Sequence, residues 1–177
     1  IPVGIVFKGE VCITISFHKT EMLSDFVTYT KRKNIDIKDN FDLVLKLLLS
    51  SSVWFLKYLK QVNQKIKLAE DNLEKSIKNE ELQALLQIEK CLVFFMTSLK
   101  GNDILLHRIK NIKSQREHFD LDLLEDVEIE LRQAQETTNI YSDILTGTMD
   151  AYASIISNNM NTIMKQMTSI SIIELYT

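Results

Sequence analysis

Residues 120–173, DLDLLEDVEIELRQAQETTNIYSDILTGTMDAYASIISNNMNTIMKQMTSISII, hold no proline and one glycine, Gly147. As a single helix, at about 1.5 Å per residue, the stretch would run roughly 80 Å, longer than a globular domain needs. Leu124, Val127, Leu131, Ala134, Thr138, Tyr141, Leu145, Thr148, Tyr152 and Ile155 recur at alternating steps of three and four. That repeat keeps one seam of a helix against a partner, so the stretch reads as a coiled-coil-like stalk. In its lower half a second apolar seam (Met149, Ala153, Ile156, Met160, Ile163, Met167, Ile170) runs one position later, roughly 100° around the helix. Two apolar faces call for two or more neighbours. A third line, Asp150, Ser154, Ser157, Asn161, Met164 and Thr168, is mostly small or polar. Polar side chains are costly to bury unless they meet water or ions, so this line suits a channel wall.

Around this stretch the composition is that of an ordinary soluble chain: 177 residues, 45% hydrophobic and 25% charged, enough for one core. One proline and four glycines leave few turns, so the fold should be mostly long helices. A net charge of −3 argues against nucleic acid as a partner, since phosphates need clustered Lys and Arg. Cys12 and Cys91 show no CxxC spacing. They read as buried fillers in a reducing compartment rather than as a disulfide framework or zinc site. No stretch reaches the ~18 to 20 apolar residues of a membrane span. The start, Ile1-Pro2-Val3, has neither a methionine nor a signal-peptide layout, and the chain is expected to be cut at both ends.

In chain order, 1–7 and 11–17 are β-rich runs flanking Lys8-Gly9-Glu10, a hairpin that needs a larger sheet to be stable. A short helix is expected over 20–29, then a polar link over 31–39 whose Lys-Arg-Lys run reads as a solvated loop. A long helix over 40–78, capped by Asp39 or Asn40, is apolar on several sides at first. It then thins to Val62, Ile66, Leu73 and Ile77, as one arm of a hairpin would. The return arm fits 80–100, with Asn79 as turn and cap and Gly101 as the stop. A further short helix over 102–113 and a link over 114–119 lead to the stalk.

Little enzymatic chemistry is visible. His18, His107 and His118 lie far apart, with no zinc-like spacing, and read as surface or loop residues. Nucleophile-elbow, metalloprotease and phosphate-loop motifs are absent, so catalysis is not expected. Trp54, Phe55, Phe94 and Phe95 read as core. The acidic run over 120–130 is more informative. A helix dipole favours its first carboxylates, but the run persists beyond the first turn. Repulsion among them would be relieved by a divalent cation or by a neighbouring subunit's positive surface.

Asp150 to Ile173 resembles the junction between stalk and membrane in the CorA family of magnesium and cobalt transporters, most specifically in the NxMNxxMKxxT pattern of Asn158 to Thr168. The resemblance implies a mainly α fold with a long helical hairpin, a very long stalk helix and a β-hairpin left from an α/β domain. It divides the chain into 1–39 (end of the α/β domain), 40–119 (hairpin and connector) and 120–177 (stalk reaching the first transmembrane segment). It further implies a homopentamer in the plasma membrane, of which this chain is a cytoplasmic part, passing and sensing Mg2+, with Co2+ or Zn2+ as alternatives. Asp150, Ser157, Asn161 and Met164 would line the pore. Asp126 would supply one carboxylate of a regulatory cation site between subunits, with Asp122 and Glu125 as weaker candidates. The family's Gly-Met-Asn signature does not occur in the sequence, and Glu174-Leu-Tyr-Thr stands where an apolar run is expected. A zinc-transporting relative and a non-transport helical scaffold are the alternative readings.

Overall fold

A computed structural model describes residues 1–9, 11–75, 79–113 and 120–176. The chain is mainly α-helical. A β-hairpin of β1 (Val3–Lys8) and β2 (Val11–Ser16) precedes α1 (Glu21–Lys33), α2 (Asn40–Lys75), α3 (Asn79–Lys113) and α4 (Leu121–Tyr176). The strands pair antiparallel from Val3↔Ser16 to Lys8↔Val11. Gly9 supplies the positive φ of 60° that the turn requires.

α1 is longer than the sequence suggests, and Lys31-Arg32-Lys33 form its last turn rather than a loop. Three cations at a helix C-terminus complement its dipole. Asn34 then closes the helix in the left-handed region (φ 49°), with its N–H donating to Lys31 O at 3.2 Å and the Ile35 N–H to Thr30 O at 3.0 Å.

α2 opens on Asp39, whose Oδ1 accepts the Asp42 N–H at 2.8 Å. Asp42 is itself buried. Its Oδ2 accepts from the Lys38 N–H at 3.0 Å and from Lys46 Nζ at 2.7 Å.

α3 differs from expectation. It runs unbroken through Gly101 to Lys113, so the proposed stop and the separate helix over 102–113 do not exist. Gly101 lacks the positive φ of a helix-ending glycine, and Leu99, Leu106 and Ile109 on either side of it are buried. Each fully buried leucine contributes roughly 1.5–3 kcal/mol, more than the ~1 kcal/mol that glycine costs in a helix. Within Glu80–Ile112 an 18-residue window reaches a mean hydropathy of 1.3, long and apolar enough to cross a membrane by length and composition. This differs from the expectation that no stretch is apolar enough to span a membrane. Buried Leu85, Ile88, Leu92 and Leu99 share one face of this helix, the pattern of packing against other helices.

Packing divides the chain into two compact units. In the first, Ile1–Gln61 with Phe94–Thr138, the core joins Val44, Leu45 and Leu48 of α2 to Leu99, Leu106 and Ile109 of α3 and to Leu124, Val127, Leu131 and Ala134 of α4. Ile5 and Phe7 of β1 pack against this cluster. Phe55 meets Phe95 edge to face at 5.1 Å, whereas Phe94, expected in the core, is 71% exposed. In the second unit, Val62–Val93 with Asn139–Thr177, the buried side chains are Val62, Ile66 and Ala69 of α2, Leu85, Ile88 and Leu92 of α3, and Leu145 and Tyr152 of α4. Cys12 and Cys91 are half-buried rather than core residues, and burial pushes the Cys91 thiol up despite the opposing charge of Lys65. Leu73 and Ile77, expected on the thinning stripe, and His118 and the 114–119 link fall outside the described side chains.

Candidate functional site

The acidic start of α4 sorts into two groups. Asp120 caps the helix: its Oδ1 accepts the Leu123 N–H at 3.0 Å and its Oδ2 lies 3.3 Å from Lys38 Nζ. The N–H donor first, and then Lys38, hold its carboxyl below the usual aspartate value. Glu128 forms an ion pair with Lys110 of α3. These two carboxylates serve the fold. Asp122, Glu125 and Asp126 instead stand exposed, around the face of α4 opposite buried Val127 and Leu131. Among the described residues no three His, Cys, Asp or Glu side chains gather closely enough to hold a metal ion.

In the second unit, the expected seam is buried at Leu145 and Tyr152, half-buried at Tyr141 and Thr148, and ends at exposed Ile155. From Ser157 to Ile172 every side chain of α4 is exposed. Asp150, Ser157, Asn161 and Met164 lie along one line of this helix, and Met164 is 62% exposed. Met160, Ile163, Met167 and Ile170 of the second apolar seam are exposed as well.

Many hydroxyls of α4 turn back on the helix. Ser154 donates to Asp150 O at 3.0 Å, Thr162 to Asn158 O at 3.0 Å, Thr168 to Met164 O at 2.8 Å, Ser169 to Lys165 O at 2.9 Å and Ser171 to Met167 O at 2.9 Å. Each occupies the backbone carbonyl one turn earlier.

One polar link escaped the sequence reading. In the second unit the Tyr152 hydroxyl donates to Glu70 O at 3.1 Å, and the Thr148 hydroxyl to Glu70 Oε1 at 2.6 Å. Thr148 and Tyr152 were legible as seam positions, but nothing in the local sequence marks Glu70 as their partner. Of the histidines, His18 is exposed, and His107 is exposed with Nδ1 2.9 Å from Asp103 O, so neither belongs to a ligand cluster.

The described fold thus ends in a 56-residue helix whose last third is exposed on every side. The family model of the CorA-like Mg2+ transporter proteins matches residues 1–175, and the chain belongs to that family. It is 26% identical over 179 residues to the cobalt/magnesium transport protein CorA of Methanocaldococcus jannaschii, covering 96% of this chain and 55% of that one. The complete structure of the CorA magnesium transporter from the same organism superposes with a TM-score of 0.75 at 23% identity, over 93% of this chain and 53% of that one. At that identity the likeness establishes the fold. The chain spans about half the length of the relatives it matches. The family is one of transporters, not of enzymes.

Proposed function

We propose that this chain is the part of a CorA-like divalent cation transporter that senses intracellular Mg2+ and gates a homopentameric pore in the plasma membrane. Residues 1–39 would be the end of an α/β domain, 40–119 the hairpin and connector, and 120–177 the stalk leading into the membrane. The observation that carries this reading is the last third of α4. Its side chains from Ser157 to Ile172 are exposed, with an apolar seam beside a polar line. A helix exposed on all sides in one chain and apolar along one of them needs partners, and identical helices around an axis would satisfy every copy alike.

In such a ring Asp150, Ser157, Asn161 and Met164 would face the axis. Mg2+ gives up its waters reluctantly, so a line of hydroxyl, amide and carboxylate groups that accepts the hydrated ion suits it, with Co2+ as a second cargo. At the other end of α4, Asp126, with Asp122 and Glu125 beside it, would supply carboxylates to a regulatory ion shared with a second copy, since the described residues of one copy gather no three ligands. Bound ion would hold neighbours together. Its loss would leave like charges facing one another and loosen the ring.

In the intact protein, Asn161→Ala should alter Mg2+ conduction, and Asp126→Ala should weaken Mg2+-dependent assembly, read by light scattering with and without millimolar Mg2+, and Mg2+-dependent protease protection. Unchanged conduction together with an unchanged cation response would overturn the transporter reading in favour of a helical scaffold.

A further inference from the structure

Four of the six methionines, Met149, Met160, Met164 and Met167, fall within α4. The last three are 58%, 62% and 62% exposed, on the part of the helix where every side chain is exposed. At about 100° per residue they share a strip about 60° wide. Met164 follows Met160 by four residues and precedes Met167 by three. Those are the two separations at which helix side chains are neighbours, with Cβ atoms about 5–6 Å apart. Met164 is thus the member common to two adjoining pairs.

A thioether is a soft donor on an unbranched, freely turning side chain, so neighbouring methionines can bring two or three sulfurs onto one ion. Soft sulfur ligands select Cu+ over hard cations such as Mg2+. The surroundings sharpen that choice. Residues 151–173 contain no Asp, Glu, His or Cys. No carboxylate is therefore at hand to offset a second positive charge, and no stronger metal ligand competes with the sulfurs. Lys165, next to Met164 in sequence, further disfavours a doubly charged ion. Packing alone does not call for sulfur here, since Ile156, Ile163 and Ile170 serve the same apolar seam without it.

We propose that Met160, Met164 and Met167 bind a soft monovalent cation, Cu+ or its analogue Ag+, one ion per chain, with Met164 as the ligand shared by both pairs. The site needs one helix only and does not depend on assembly. In the ring described under the proposed function, Met164 reaches the axis, and an ion held there lies in the path of hydrated Mg2+. That consequence, unlike the site, rests on the transporter reading.

The test uses the intact protein in detergent, its cysteines replaced by serine and its methionine methyl groups labelled for NMR. Silver nitrate is titrated in chloride-free buffer containing millimolar Mg2+. Three methyl resonances, identified by their loss in M160L, M164L and M167L, should move together and stop moving at one Ag+ per chain. M164L should abolish binding. M160L and M167L should each weaken it at least about tenfold, the loss that removing even an outer partner of a metal site brings. Leucine keeps the apolar character and the helix propensity, so circular dichroism should show the same helicity in all three. X-ray absorption of the parent at one Ag+ per chain needs no variant and should show two or three sulfur neighbours. A shell of oxygen and nitrogen alone overturns the site, as do shifts of every methionine methyl without saturation, fewer than one Ag+ per chain, or M164L binding as tightly as the parent. Ag+ that binds at these sulfurs and leaves Mg2+ conduction unchanged overturns only the placement of the site in the ion path.

Discussion

Lys38 Nζ lies 3.3 Å from Asp120 Oδ2, which joins the segment before α2 to the first residue of the α4 cap. Asp120 meanwhile accepts the Leu123 N–H through its other oxygen. Both partners favour its ionised form, so its pKa in the folded chain lies below the ordinary 3.8. A depressed carboxylate stabilises the fold above the unfolded pKa and loses that contribution as pH falls through the folded one. Asp120→Asn should therefore lower the thermal midpoint at neutral pH. The difference from the parent should shrink as pH drops below about 4 and vanish once both states are protonated. A difference that is constant across a pH series of melting curves would rule this out.

Leu131 is 2% exposed within the first unit's core. Leu131→Ala removes buried methyl groups and leaves a void, and should destabilise the chain by about 2–5 kcal/mol in denaturant unfolding. Ile129→Ala, two residues away on the exposed face, should cost the single chain far less. Comparable losses would contradict the assignment of faces on α4.

Gly101 lies in the interior of α3 with ordinary helical backbone and no heavy atom within 4 Å of where a Cβ would stand. Gly101→Ala should accordingly stabilise the chain by about 0.5–1 kcal/mol, mainly by restricting the unfolded state. Gly9→Ala, at a φ of 60°, should do the opposite. Urea titrations of both variants read the two signs directly.

The Tyr152 hydroxyl and the Glu70 carbonyl are the two ends of a bond between α4 and α2 in the second unit. Tyr152→Phe keeps the ring and removes the donor, and should cost about 0.5–1.5 kcal/mol. Amide exchange along α4 locates the change. Faster exchange should be concentrated around residue 152, with the first unit's amides unaffected.

The spacing of apolar residues carried most of the fold. Leu124, Val127, Leu131, Ala134, Thr138, Leu145 and Tyr152, read as one seam, are buried. The N-terminal hairpin and a cap at Asp39 or Asn40 were equally plain, because turn and cap chemistry is local. Failures occurred where tertiary packing decides. Gly101 looked like a stop because propensity counts its missing side chain but not the burial of Leu99 and Leu106 beside it. Lys31-Arg32-Lys33 looked like a loop because their charges suggest solvent, which a helix C-terminus also offers. The candidate pore line was legible as a pattern of polar residues. Glu70, bound to two side chains roughly eighty positions away, belongs to contacts that no local pattern encodes.

The hydroxyl bonds along the end of α4 change how polar that helix really is. Ser154, Thr162, Thr168, Ser169 and Ser171 each place their proton on a carbonyl of their own helix. Such a group brings no unmet donor with it when water is withdrawn. Counted by letters, the segment is a mixture of hydrophilic and oily residues; counted by unmet hydrogen-bonding need, it is mostly an oily rod. What remains thirsty is a short list: the hydroxyl of Ser157, the amides of Asn158, Asn159, Asn161 and Gln166, and the ammonium of Lys165. These few side chains, rather than the five back-bonded hydroxyls, determine which side of the rod must stay wet.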